Sequence, residues 1–291
     1  MTRAVLGIIG GSGVYDLAQV EGARWESVST PWGAPSDQLR LGTIGGLDVA
    51  FLPRHGRGHP LPPTAINYRA NIDAMKRVGV TDLVSVSACG SLNDAMPPGM
   101  LVVVDQFIDR TFARAKTFFE AGCVAHVSMA DPVSPLLAAR IAQAAAAEGI
   151  AHIRGGTYVA IEGPQFSTRA EARMHRSWGA DVIGMTNMPE AKLAREAELC
   201  YAALAMVTDH DCWRVDFGST SVTEIVKVVG DNAEKVKRIL LRLARSFPAE
   251  HEACPVGSDR ALDNAFITAP SARDPQLLAK LDAVAGRVLR G

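Results

Sequence analysis

Largely apolar runs, each ending in a small or polar residue, set the tightest limit on what this chain can fold into. Residues 5–9, 49–52, 82–87, 99–104, 156–161, 180–185 and 200–207 read as strands, and a hairpin-type turn at Gly45-Gly46 joins a further one at 39–41 to 49–52. Helical patterns lie among them: 67–78, ended by Gly79; 135–149, rich in alanine; 169–178; 190–198, opened by Pro189; and 223–246, with Gly230 as its weak point. The continuous apolar character of 99–104 suits a strand covered on both faces. Strands alternating with helices predict an α/β fold: a single three-layer domain with a central, largely parallel or mixed sheet flanked by helices. Residues 1–246 carry the pattern. It thins after Pro248, so 247–291 is expected to be a peripheral C-terminal extension, packed on the same domain or at a subunit interface.

Composition narrows the function classes. Thirty Lys and Arg against 31 Asp and Glu leave a net charge of −1, which offers no bulk attraction for nucleic acid or an anionic membrane. A membrane span would need about eighteen consecutive apolar residues, and the chain has no such run. The first residues lack the length and cleavage site of a signal peptide. Five cysteines without a C-x-x-C point to a reduced, cytoplasmic protein with neither a disulfide framework nor structural zinc.

In sheets of this class ligands bind beyond the carboxyl ends of the strands, so polar clusters there carry most weight. Gly10-Gly11-Ser12-Gly13 lacks the third glycine of a dinucleotide fingerprint and the GK[ST] of a phosphate loop. What remains, exposed backbone N–H groups beside a hydroxyl, suits a small anion or is a plain turn. Arg54-His55-Gly56-Arg57 offers a guanidinium and an imidazole to an oxyanion, unless it is a solvated basic loop. Ser87-Ala88-Cys89-Gly90-Ser91 repeats the layout with small residues that admit a ligand close to the backbone. Asp209 and Asp211, two apart after a buried strand, face the same way if the strand continues. Crowded and buried carboxyls titrate high, which suits a general acid; a Mg²⁺ site and a structural cap use the same residues.

Taken in order, these clusters together with Asp37, Asp105–Thr111, Glu162-Gly-Pro-Gln-Phe-Ser167, Met185-Thr-Asn-Met-Pro-Glu190 and Thr208-Asp-His-Asp-Cys-Trp213 resemble the trimeric purine nucleoside and methylthioadenosine phosphorylase family over roughly residues 5–245. The resemblance implies phosphorolysis of 5'-methylthioadenosine to adenine and 5-methylthioribose 1-phosphate, without metal or organic cofactor and with inorganic phosphate as co-substrate. It assigns phosphate to Ser12, Arg54, His55, Ser87, Ala88 and Thr186. Met185 lies against the sugar, Phe166 stacks near ribose or base, and Asp209 and Asp211 face the purine as the catalytic pair. Val222, Ile225 and Val226 line the methylthio pocket, and His126 reaches a neighbouring subunit's site in a homotrimer or a dimer of trimers.

Two aspartates favour a 6-amino over a 6-oxo purine, a discrimination of about ten- to a hundredfold if one buried polar group is left unpaired. Methylthioinosine or general purine nucleoside phosphorolysis is the alternative within the family, and a nucleoside-binding regulatory protein the alternative outside enzymes. The chain departs from its relatives at Gly184, where many carry Asn, and at Ser12 and Ser87, which keep the hydroxyl of more usual threonines.

Overall fold

Caps cut the chain where its periodicity changes. The Asn67 side chain accepts from Ala70 N and opens α1 (Tyr68–Arg77), Ser134 accepts from Leu137 N before α2 (Pro135–Ala147), and Thr168 with Glu171 closes a capping box on α3 (Arg169–Ser177). Gly79 takes a φ of +84° just past α1, a conformation that costs glycine little. The computed structural model describes residues 2–11, 19–214 and 222–290. The remaining long helices are α4 (Asn187–Glu196) and α5 (Val222–Ser246), followed by the short α6 (Pro275–Lys280) and α7 (Gly286–Leu289).

Among the described residues eleven strands form one mixed sheet: β1 (Val5–Gly10), β2 (Glu21–Glu26), β3 (Leu39–Ile44), β4 (Leu47–Pro53), β5 (Asp82–Ser91), β6 (Leu101–Val104), β7 (Gln106–Arg110), β8 (His152–Arg154), β9 (Thr157–Ile161), β10 (Val182–Gly184) and β11 (Cys200–His210). β5 pairs in parallel with β1 and β11 and, at its last two residues, antiparallel with β10. The sheet therefore forks at β5. One arm runs through β10 to β9 and β7, the other through β11 to β6 and β8, while β1, β4, β3 and β2 continue from the first half of β5. β2, β7 and β8 are additions to the strands expected from periodicity. Every β2 residue is exposed at the sheet edge, so no apolar alternation marks it.

The three layers follow from β11. Tyr201, Ala203, Ala205 and Val207 pack with α1 and α4 residues on one face, and Ala202, Leu204 and Met206 with α2 and α5 residues on the other. Covering both faces is what makes the strand uniformly apolar. No described helix is long and apolar enough to cross a membrane.

The C-terminal residues are less peripheral than their thin pattern suggests. Leu262, Leu277, Leu281 and Val284 are buried in the first of those cores, and Arg287 bonds Glu198 Oε1 at 2.6 Å and Oε2 at 2.8 Å. His251 Nδ1 lies 2.9 Å from Asp82 Oδ2, and this carboxylate raises the imidazole above its usual pKa. A raised histidine stabilises fully below its ordinary value of about 6.5, and that contribution is lost as pH rises through the folded value. Urea midpoints are expected to fall as pH rises above about 6.5, and to fall less in His251→Gln.

Candidate active site

The last residue of β5 paired with β1 is Val86, and the first paired with β10 is Gly90. Between them Ser87, Ala88 and Cys89 have a described strand neighbour, β11, on one side only. At about 3.3 Å per residue this is an opening of about 10 Å in the strand ladder among the described residues. Ala88 is exposed there although it belongs to a central strand. The carboxyl ends of β1, β4 and β11 meet the same stretch, which is where ligands bind in such sheets.

One end of the opening is built on Arg54. Its side chain is wholly buried, with Nε 2.8 Å from Glu190 Oε2 and Nη2 3.1 Å from Oε1. Nη2 also reaches Ser85 Oγ at 2.7 Å, and Nη1 donates to the Val86 carbonyl at 2.8 Å. Burial opposes the guanidinium charge, and Glu190 more than restores it, so Arg54 stays charged. Most of its donor fork is thus committed within the protein. Among the described residues one N–H on Nη1 has no partner, and Nη1 lies 3.5 Å from where a Cβ on Gly11 would sit.

His55 contributes differently from the charged grip expected of an Arg–His pair. Its Nδ1 lies 2.8 Å from the Leu61 carbonyl, which can only accept, so Nδ1 carries the proton and Nε2 presents a lone pair. Burial, with Arg54 adding to it, lowers the imidazole to about 4 and keeps it neutral. Arg57, the other cation of that motif, turns away to pair with Asp37 at 2.8 Å and to cover Trp25. Ser87 is buried and donates to Asn187 Oδ1 at 2.9 Å. Thr186 is the N-cap of α4, yet its hydroxyl makes no capping bond.

The other end carries the two aspartates. A register shift after Val207 turns the end of β11 so that Asp209, not Thr208, lies opposite Gly90. A Cβ on Gly90 would stand 3.4 Å from Asp209 Oδ2 and 3.5 Å from Asp211 Cβ, so this glycine lets both acids close on the strand. Thr208 Oγ1 lies 2.7 Å from Asp209 Oδ1. Asp211 Oδ1 accepts from its neighbour Cys212 N, while its buried Oδ2 has no partner among the described residues. Burial raises both carboxyls above the usual range, and the charge of Asp209 raises Asp211 further.

Between the two ends runs the segment after β10. Arg114 Nη1 donates to the carbonyls of Met185 at 2.6 Å and Met188 at 2.7 Å, while Nε donates to Glu162 at 3.0 Å. Glu162 also accepts from Thr64 and from the backbone of Phe112 and Ala113; against the effect of burial these bonds bring its carboxyl down to about 2. This clamp holds the half-buried Met185 against Gly163. Phe166 is 71 % exposed, beside Ser167, whose carbonyl accepts from Cys212 near the acid pair.

Arg54, Ser87, Ala88, Asp209 and Asp211 are therefore brought to one stretch of β5, with Thr186 reaching it through Asn187, while His55 follows Arg54 in the chain and Met185 precedes Thr186. Ser12 and the side chains of Val222, Ile225 and Val226 lie outside the described residues. His126 is exposed, and its backbone N–H bonds Ala265 in the C-terminal segment rather than a residue of the opening. Glu162 and Glu190 stand in the sequence motifs without a role assigned to them, Arg114 stands outside them, and no spacing signal links any of the three to its partners. Donors able to hold a metal group elsewhere, with Asp82, Cys200 and His251 mutually within 4.8 Å, at the amino ends of β5 and β11. Replacing Glu190 by Ala strips Arg54 of its counter-charge while leaving it buried. A loss of about 3–5 kcal/mol in urea unfolding is expected.

The model of the Phosphorylase superfamily matches residues 5–245. An S-methyl-5'-thioadenosine phosphorylase of Bradyrhizobium diazoefficiens is 65 % identical over 291 residues, covering all of both chains, and one of Cereibacter sphaeroides is 58 % identical over 99 % of this chain and all of that one. Among solved structures, a methylthioadenosine phosphorylase from an antarctic soil metagenomic library superposes with a TM-score of 0.91 at 44 % identity, over 98 % of this chain and 99 % of that one. The methylthioadenosine phosphorylase of Schistosoma mansoni in complex with adenine does so with 0.83 at 37 %, over 89 % and 97 %. Matched along its length in sequence and in fold, the chain belongs to the phosphorylase superfamily.

Proposed function

We infer that the chain catalyses phosphorolysis of 5'-methylthioadenosine to adenine and 5-methylthioribose 1-phosphate. The observation that carries this is the one-sided stretch of β5, with the Arg54 guanidinium held at the Val86 carbonyl beside Ser87 and a pair of raised carboxyls at Gly90. Its span suits a nucleoside with phosphate at one end and base at the other, and the names of the relatives specify the class.

Phosphate sits with Ser12, Ser87, the Ala88 backbone, Thr186 and the spare Arg54 N–H, while the lone pair of His55 Nε2 accepts the proton of a P–OH. Sugar lies on Met185, with Phe166 against ribose or base. As the C1'–N9 bond breaks, its electron pair moves onto the purine and cationic charge builds on the ribose. Protonated Asp209 donates to purine N7, and Asp211 accepts from the 6-amino group. A phosphate oxygen then bonds C1'. Holding that anion in place removes the entropic cost of bringing it up and offsets the developing cation. Val222, Ile225 and Val226 receive the methylthio group; no step needs a metal or organic cofactor.

A neighbouring copy completes the site through His126. Exposed Val124 and Ile267 flank it, an apolar surface that supports a homotrimer. The five cysteines are free thiols, which supports a cytoplasmic location.

Adenine release from methylthioadenosine is expected to require phosphate and to exceed hypoxanthine release from methylthioinosine. Phosphate-independent release would mean hydrolysis instead. Because Asp209 acts as an acid, activity should fall as pH rises through its raised pKa. Asp209→Asn is expected to lower kcat by about 10²–10⁴ and to flatten that alkaline limb. Light scattering should give three times the mass of one chain.

A further inference from the structure

Tyr158 on β9 is fully buried, and its hydroxyl has no hydrogen-bond partner among the described residues. Buried phenols nearly always find one. This hydroxyl interacts with the Ser87 hydroxyl and the Thr186 backbone N–H, two groups of the anion end of the opening, but forms a hydrogen bond of proper geometry with neither. It also explains position 184. A Cβ on Gly184 would meet Tyr158 Oη at 1.8 Å and its Cζ at 2.6 Å, so the phenol occupies the space of a side chain there. The same place holds a second unsatisfied buried donor. Asn187 accepts the Ser87 proton on Oδ1, and its Nδ2, in a residue that is 0 % exposed, has no partner. An amide NH₂ can only donate, a phenol can donate, and burial denies both of them water. Two idle donors meeting at Ser87 call for a ligand rich in acceptors and poor in protons, which is an oxyanion.

We propose that Tyr158 is a further phosphate-binding residue, donating its O–H to a phosphate oxygen from the place that Gly184 leaves vacant. It follows that the Gly184 departure removes no polar contact from the site: β9 supplies one from beneath. This rests on the phosphorolytic reading above, and inorganic phosphate serves as the probe.

Tyr158→Phe deletes only the hydroxyl. Without phosphate the variant is expected to melt no lower than the wild type, since an unsatisfied buried group has been removed. With phosphate its stabilisation should shrink, and the KM for phosphate should rise about tenfold while the KM for methylthioadenosine changes less than about twofold. Gly184→Ala, which displaces the phenol instead of shortening it, should raise the phosphate KM likewise. The proposal is overturned if Tyr158→Phe keeps wild-type phosphate stabilisation and KM. It is also overturned if the nucleoside KM rises in place of the phosphate KM, or if the variant melts lower without phosphate and binds it normally. If phosphate neither stabilises the wild type nor is needed for adenine release, the phosphorolytic reading itself fails, a result distinct from those three.

Discussion

The buried pair of Arg54 and Glu190 is the interaction on which the rest depends. It ties the end of β4 to α4, and through Ser85, Tyr201 and the Val86 carbonyl it ties both to β5 and β11. A charge pair removed from water is at best a modest source of stability, because its desolvation cancels much of its attraction. Its value here is geometric. Five groups from four elements must meet at fixed distances for either charge to be tolerated, and the carboxyl ends of the strands are thereby held in register around the opening.

Charge is distributed unevenly along that opening. At one end a guanidinium keeps its charge while a neighbouring imidazole is held neutral; at the other, two carboxyls are pushed toward their protonated forms. The causes differ. Arg54 has a partner that compensates burial, whereas for Asp209 and Asp211 desolvation is the largest effect and outweighs the bonds that lower them. A site that must bind an anion at one end and lend a proton at the other needs such an asymmetry.

Much of this was legible in the sequence. Strands such as 200–207 and helices such as 135–149 announce themselves through apolar runs and caps, and the small or polar residues that end the strands locate the opening. What escaped has identifiable reasons. β2 is an exposed edge strand, β8 has three residues, and β7 reads Gln-Phe-Ile-Asp-Arg, so periodicity gave them no signal. Glu190 meets Arg54 across 136 positions, a separation that no local pattern encodes. Arg57 lies three residues from Arg54 in the same motif and points elsewhere, because Asp37 offers it an exposed partner. At Gly184 the space of a side chain is filled by Tyr158 from β9, 26 positions away, which no local pattern encodes.

The interruption beside Ser87, Ala88 and Cys89 has a consequence for cohesion. A β-sheet is held together by rows of main-chain donors and acceptors, and a row that stops short inside a domain must be finished by something. On the phosphorolytic reading, what finishes it is the substrate pair itself: oxygens of an inorganic ion and of a sugar take the places a missing strand would fill, so occupancy bridges the β1 side of the sheet and the β10 arm.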